Sequence, residues 1–451
     1  MSVSLAQVAA PQENAGLHGD LPHLEAALDP ERMRDELDAL LFAGTGTTLL
    51  RCGRPKPEVG DVGCSIHYPL LVRDASGTES QRLALAVMLP GEGDAEHFHA
   101  RELSPIAARQ PAAPAGGPRA TGVLSHLRLA VSLFPVSAAH PTLVLAADRE
   151  LATAALRPLL QGSDAAVTDV VLVRLRRSRG CVLRYELDHG ARTAVFGKVG
   201  YPAAAAGVQA ALDALRVSDG ASRGSVVFPR GLGRSAELDE TFVEELPGRP
   251  PELEQETERA RVVDVAAAVA AVLHASGPGA GDEHGLDDEV ARAARPVQMV
   301  ARYDAGLAGS LLAVLNGVTR QAAQAPAGEP VFSHGSFAPS QLMFDGDRTG
   351  LLDFERVCRA EPGFDLGRFL ASLRTSVSRK GASDADALAQ RFLSGYVAAG
   401  GSAGAAQRAS LYECAALIRT VAHSWLQLKT SRLQHALAVL EARRESLGLA
   451  G

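Results

Sequence analysis

Between Val331 and Leu370 the chain reads VFSHGSFAPSQLMFDGDRTGLLDFERVCRAEPGFDLGRFL, and side chains able to do chemistry are concentrated there. An apolar pair leads into His334 and Gly335, and a short loop follows that carries Ser336 and Gln341. Two strands bracket the turn Asp345-Gly346-Asp347, and Asp353 stands at the end of the second. A carboxylate in such a place is a hard oxygen ligand of the kind Mg²⁺ takes. The Gln341 amide oxygen can join a ligand set, with a long reach. Ser336 offers only a hydroxyl, which near neutral pH is neither a useful base nor an anion.

These residues resemble the catalytic and metal-binding loops of the aminoglycoside phosphotransferase and choline kinase branch of the protein-kinase-like fold. The first loop of that family usually reads HGDxxPxN and the second (I/L)DF(E/D). His334, Gly335, Pro339, Asp353, Phe354 and Glu355 match, while Ser336 stands at the catalytic aspartate position and Gln341 at the asparagine position. The resemblance implies phosphoryl transfer, which needs a metal-bound triphosphate, a positioned hydroxyl and usually a carboxylate to take its proton. It makes Ser336, His334 and Gln341 the catalytic-loop candidates and Asp353 with Gln341 the metal ligands. General-base assistance is worth ~10²–10⁴-fold in rate, so the serine implies crippled transfer with nucleotide binding intact. Ala338 points the same way, because relatives often carry Lys or His there to steady the transferring phosphate.

The same resemblance assigns the elements that must position these groups. The segment Leu172 to Lys198 is similar to the strand-turn-strand lid of a kinase-like small lobe, with Arg179 and Gly180 in the lid turn. Lys198 then takes the place of the third-strand lysine that pairs the α and β phosphates. Glu244, Glu245 and Leu246, in EELPGRP, resemble the hinge whose backbone binds the adenine edge. The small-lobe helix glutamate has only Gln209 and Asp213 as counterparts. From Glu252 the pattern is helical: Val262, Val265, Val269, Val272 and Leu273 recur at helical spacing up to the stop His274-Ala275-Ser276-Gly277. His274 is structural in that resemblance, and Asp365 holds the backbone of the catalytic loop. Further helices are expected at Leu307 to Val318, Leu388 to Tyr396 and Leu411 to Leu447. Arg419, His423, Lys429, Arg432, Arg443 and Arg444 on the last are most simply a solvated face, otherwise a surface for an anionic partner.

An internal repeat accompanies this pattern. Asp29 to Leu41 ends in LDALL and Asp148 to Leu160 in LRPLL. Gly63-Cys64-Ser65-Ile66-His67-Tyr68-Pro69-Leu70 and Gly180-Cys181-Val182-Leu183-Arg184-Tyr185-Glu186-Leu187 then share GCxxxYxL. Matched from Arg82 and Arg192 in the strands that follow, Met88 takes the place of Lys198. The expected fold is therefore α+β and protein-kinase-like, with an antiparallel small lobe and a helical large lobe preceded by a degenerate second small lobe. The divisions are a flexible leader over 1–27, the degenerate lobe over 28–147, the small lobe over 148–250 and the large lobe over 251–451.

Composition narrows the partners. Of 451 residues 46% are apolar, as in globular proteins, and a net charge of −7 argues against a general nucleic-acid binder. Five scattered cysteines without a CxxC pair signal neither a disulfide framework nor a zinc site, and read as buried free thiols. The N-terminus lacks a signal pattern, and the Ala-rich run Val265 to Leu273 is far short of the ~20 residues that span a bilayer, so a cytoplasmic location and no membrane partner are expected. The family resemblance leaves two functions. One is a pseudokinase that binds ATP or GTP with Mg²⁺ and serves a partner or pathway complex, such as peptide or natural-product tailoring, with residues 28–147 as a protein-docking surface. The other is an active phosphotransferase acting on a hydroxyl of an antibiotic, sugar, amino alcohol or peptide Ser/Thr.

Overall fold

The computed structural model describes residues 10–111, 116–160, 164–176, 180–188, 193–201, 226–276, 281–324, 326–379 and 383–449. Arg179 of the expected lid turn, and Gln209 and Asp213, lie outside them.

The first half of the chain builds two antiparallel sheets. The first contains β1 (Thr48–Cys52), β2 (Lys56–Gly60), β3 (Gly63–Arg73), β4 (Glu79–Met88), β5 (Thr121–Leu124) and β6 (Leu129–Leu133), in the order β1-β3-β4-β6-β5. Strand β2 pairs with the start of β3 and β1 with its end, so together they form one edge interrupted at Gly53-Arg54-Pro55, where a proline cannot donate to the ladder. The second contains β7 (Val167–Arg176), β8 (Gly180–Leu187), β9 (Ala194–Val199), β11 (Gly231–Ser235) and β12 (Glu240–Glu244), in the order β7-β8-β9-β12-β11. Strand β10 (Val226–Val227) leaves this sheet and pairs in parallel with a strand of the large lobe.

A helix precedes each sheet. Helix α1 (Pro30–Leu37) begins at Asp29, whose carboxylate accepts from the Glu31 and Arg32 backbone N–H groups, and α2 (Arg149–Leu156) begins at Asp148, which accepts from Leu151 N–H. Such caps satisfy amides that the first helical turn leaves without partners. The Tyr68 hydroxyl donates to Ala27 O at 2.9 Å and the Tyr185 hydroxyl to Ala146 O at 2.9 Å, two residues before each cap. Register changes one correspondence. Cys64 lies opposite Met88 with Ser65 opposite Val87, and Cys181 lies opposite Val199 with Val182 opposite Lys198. Val87, not Met88, therefore stands at the position of Lys198. Side chains alternate between the faces of a strand, so a one-residue slip moves the residue to the other face.

One further expectation changes. Residues 10–27 are packed rather than a flexible leader: helical turns at Ala15–Asp20 and Leu24–Leu28 bury Leu17, Leu21 and Leu24. The two lobes that the repeat marks keep separate sheets, with none of their described strands pairing with each other. The first sheet instead shares a hydrophobic core with the large-lobe helices. Arg302 binds Asp20 at 2.5 Å and the Asp61 carbonyl at 3.2 Å, and Tyr303 stacks on Trp425.

The large lobe contains α3 (Glu256–Ala275), α4 (Leu286–Ala301), α5 (Ala305–Ala322), α6 (Gly363–Arg379), α7 (Ala385–Ala398), α8 (Ala403–Leu426) and α9 (Thr430–Ser446). Between α5 and α6 lie β13 (Val331–Ser333), the hairpin β14 (Leu342–Asp345) and β15 (Arg348–Leu351), and β16 (Cys358–Ala360). The expected helix over 411–447 is thus two helices, turning at Leu428, whose φ is +52°. All five cysteines are buried, and none forms a disulfide. No described helix is long and apolar enough to cross a membrane.

Candidate functional site

Lys198 is held on β9 between Val182 of β8 and Thr241 of β12. Neighbouring Gly197 has no room for a side chain: a Cβ there would lie 1.8 Å from Glu240 Oε1 and 2.5 Å from the Tyr185 ring. The Lys198 side chain is 10% exposed and crosses to the large lobe, where its ammonium donates to Asp353 Oδ1 at 3.1 Å and to Glu355 Oε1. Burial lowers the Lys198 pKa, and Asp353 partly opposes this. At Asp353 burial pushes the pKa up, but the charge and hydrogen bond of Lys198 outweigh it and hold the carboxyl below its usual value.

Asp353 adopts a left-handed backbone, φ +66°, which a non-glycine residue takes only when its surroundings impose it. Two loops converge there. The Leu352 N–H donates to Gln341 O at 2.9 Å, bringing Gln341 beside the carboxylate strand. His334 lies at the end of β13, and its Nε2 is 2.7 Å from Leu352 O. Nε2 therefore carries the proton and Nδ1 accepts. Ser336 Oγ lies 3.2 Å from that Nδ1 and 3.2 Å from Asp353 O, two acceptors for its one proton. Burial lowers the His334 pKa, which keeps the imidazole neutral.

Asp365, at the start of α6, fixes the loop. Its carboxylate accepts from His334 N–H at 2.6 Å and from Gly335 N–H at 2.9 Å. Gly335 has φ +73°, and a Cβ on it would meet Arg356 O at 1.9 Å, so only glycine can pass between the loops. His274 Nε2 is 3.6 Å from Asp365 Oδ2 and its Nδ1 is 2.9 Å from the Tyr396 hydroxyl. It braces the site from α3 and takes no place in the cleft.

The hinge candidates separate. The Glu244 N–H is bonded to Arg230 O at 2.9 Å, and Glu245 pairs with Arg184 at 2.8 Å on the sheet. Leu246 packs near Gly350 of β15. Arg249 exchanges both backbone hydrogen bonds with Phe344, at 3.0 and 2.8 Å, joining the end of the hinge to β14. Gly180 opens β8 with φ +97°, against Tyr201.

Asp353 and Glu355 present hard carboxylate oxygens around one cation, the donor type that Mg²⁺ takes together with phosphate oxygens. Among the described residues no group of three or more His, Cys, Asp or Glu is arranged to hold a metal by itself. Glu355 is the residue that motif reading undervalued. It was legible as part of DFE, but its pairing with Lys198 depends on how the lobes meet.

A five-stranded antiparallel lobe, a short hinge and a helical lobe, with a lysine of the first against a carboxylate pair of the second, define a kinase-like two-lobe protein. The chain belongs to the phosphotransferase enzyme family APH, whose model matches residues 135–408, more than half of its length. Similar solved structures include a choline kinase from Cryptosporidium parvum Iowa II, at 13% identity over 66% of this chain and 96% of that one, TM-score 0.46. A choline/ethanolamine kinase family protein from Mesorhizobium loti is 16% identical over 68% and 96% of the two chains, TM-score 0.46. Macrolide 2'-phosphotransferase MphH from Brachybacterium faecium is 18% identical over 63% and 96%, TM-score 0.38. No curated protein matches.

Proposed function

We propose that the protein binds ATP or GTP with Mg²⁺ between its lobes and acts as a pseudokinase, with phosphoryl transfer attenuated by Ser336. The carrying observation is the buried Lys198 ammonium set against Asp353 and Glu355 across the cleft. A lysine and an acidic pair in that relation suit phosphate and metal at once. Attenuation follows from Ser336: its hydroxyl is engaged by His334 and the Asp353 carbonyl, and the neutral His334 is a weak proton acceptor.

The same Ser336–His334 contact favours a second reading, in which the acceptor hydroxyl passes its proton through Ser336 to Nδ1 and transfer is slow but real. Calorimetry of Mg·ATP binding with Lys198→Ala and Asp353→Ala tests the cleft: binding lost in both supports it, and no binding by the unmodified protein rejects it. A Ser336→Asp variant then separates the readings. An ATPase rate raised by ~10²–10⁴-fold indicates that the missing carboxylate was limiting, as attenuation requires. An unchanged rate favours the relay.

We further propose that residues 28–147 are a second, decayed copy of the small lobe. Support comes from the shared strand order, the shared tyrosine-to-carbonyl bond and the two aspartate caps. A partner protein reaching this copy would meet it already docked on α4 and α8. Co-purification with and without residues 28–147 tests that docking role.

A further inference from the structure

The arginines of α8 and α9 are not a solvated face. Arg419 is 12% exposed and Arg443 20%, and both point at buried carboxylates, Glu289 and Glu413. Glu289 is fully buried on α4, with Arg368 at 3.0 Å, Arg419 at 3.0 Å and Arg292 at 3.4 Å. One carboxylate thus serves three guanidinium groups, and positive charge is left over where α4, α6 and α8 meet.

That excess opens onto a cavity of about 280 Å³ beside Ser336. Arg176 enters it from the end of β7, Arg368 and Arg379 from α6, Arg419 from α8, and Arg432 and His435 from α9. No Asp or Glu lines it. Among the described residues, Arg176, Arg379 and Arg432 have no carboxylate within salt-bridge distance. Arg432 stands nearest the other two: burial lowers the Arg432 pKa, and the charges of Arg379 and Arg176 lower it further. Arg176 feels the Asp353 and Glu58 charges, but the guanidinium groups converging on Arg432 repel one another, and an arginine fork matches phosphate oxygens in pairs. Ser372 and Ser376 add hydroxyls to the same wall. The chain as a whole is acidic, net −7, so the concentration of positive charge is local to this cavity. The cavity also falls just below the ~300–1,000 Å³ range of ligand sites, which favours a compact molecule over a peptide or nucleic acid.

We propose that this pocket binds a small phosphorylated polyol, such as a sugar phosphate, with its phosphate on Arg176, Arg379 and Arg432 and a hydroxyl directed at Ser336. Its place as the acceptor side of the cleft rests on the nucleotide-binding reading above; the binding itself does not.

The test is calorimetry on the full chain without nucleotide, using glucose 6-phosphate, glucose, inorganic phosphate and a short polyglutamate peptide as probes. Arg432→Gln and Arg379→Gln are the variants. Arg379 is exposed and Arg432 partly so, and circular dichroism and thermal melting establish that both variants fold. The expected result is that glucose 6-phosphate binds, that glucose and phosphate each bind roughly tenfold or more weaker, and that each variant loses about tenfold or more in affinity. The proposal is overturned if glucose 6-phosphate does not bind, if inorganic phosphate or the peptide binds as well, or if both variants retain full affinity. Mg·ATP titrations run in parallel distinguish the failures. Sugar phosphate binding without ATP binding removes the cleft reading and keeps the pocket, and the converse removes only the pocket.

Discussion

Replacing Lys198 with Met should move nucleotide and metal affinity in opposite directions. In the folded protein the ammonium sits 3.1 Å from Asp353 Oδ1 and also bonds Glu355. Against phosphate it supplies a charge-assisted hydrogen bond of ~1.5–3 kcal/mol, so its loss weakens Mg·ATP about 10- to 150-fold. Against a bare divalent ion it competes. At an effective dielectric constant near 20, a unit-charge pair about 3 Å apart attracts by ~5 kcal/mol before desolvation is counted. Methionine removes that competitor, and Mn²⁺ without nucleotide should bind more tightly above neutral pH. The pH condition follows from Asp353: burial raises its pKa, and Lys198 is the largest of the groups that overcome this, ahead of His334 and Arg174. Without Lys198 the carboxyl pKa moves upward, and the metal gain fades as pH falls. Truncating one partner of a buried ion pair costs ~3–5 kcal/mol, but the Asp353 and Glu355 side chains are 32% and 19% exposed, and water reduces the loss to ~1–2 kcal/mol. Calorimetry with ATP and electron paramagnetic resonance with Mn²⁺ read the two affinities. Unchanged ATP affinity in a folded variant, or weaker Mn²⁺ binding above neutral pH, would refute the placement of Lys198 between phosphate and metal.

Two stability predictions concern buried carboxyls. Glu240, fully buried on β12, has its pKa pushed up to about 8 by burial, with the Tyr185 hydrogen bond opposing. Its folded-state value is raised, so its contribution is fully present below the unfolded pKa and is lost as pH rises toward 8. Glu240→Gln should therefore gain stability relative to the unmodified protein across that window, by a few kcal/mol at most; urea midpoints showing a pH-independent difference would contradict this. Glu289 behaves oppositely. Burial raises its pKa, but Arg419, His284, Arg368 and Arg292 overcome that and depress it strongly, so its contribution is present above the unfolded pKa and lost as pH falls through the folded one. Glu289→Gln leaves the guanidinium groups uncompensated and should cost ~3–5 kcal/mol near neutrality, read as a lower urea midpoint; a shift under ~1 kcal/mol would mean that water already solvates the cluster.

Much of the site was legible because its groups lie close together in the chain. His334 to Asp353 are linked by one hairpin, so spacing alone brings Gln341 beside Leu352 and Asp353. The sheets were legible for the same local reason: alternation and glycine turns mark Gly63 to Met88 and Gly180 to Val199. Registration was less so. Counting from Arg82 and Arg192 put Met88 at the Lys198 position, while paired strands place Val87 there, because the connections before β4 and β9 differ in length and only the ladder with β3 or β8 sets the match. The N-terminal segment misled for a related reason. Pro11, Gly16, Gly19 and Pro22 read as a loose leader, yet Leu17, Leu21 and Leu24 are buried by helices some 300 residues away in sequence.

By itself the sequence determined residue chemistry and local geometry: the HGS and DFE loops, the lysine on a strand and the repeat. These depend on neighbours in the chain, whose spacing the backbone enforces. Tertiary structure alone decided how charges separated by long stretches of chain combine. Lys198 finds Glu355 as well as Asp353, one buried Glu289 serves three arginines, and Arg176, Arg379 and Arg432 gather around a single cavity. The run of basic residues made α8 and α9 look solvated because the helices facing them lie elsewhere in the chain. Coulomb energies depend on distance and dielectric through space, and neither is written along the chain.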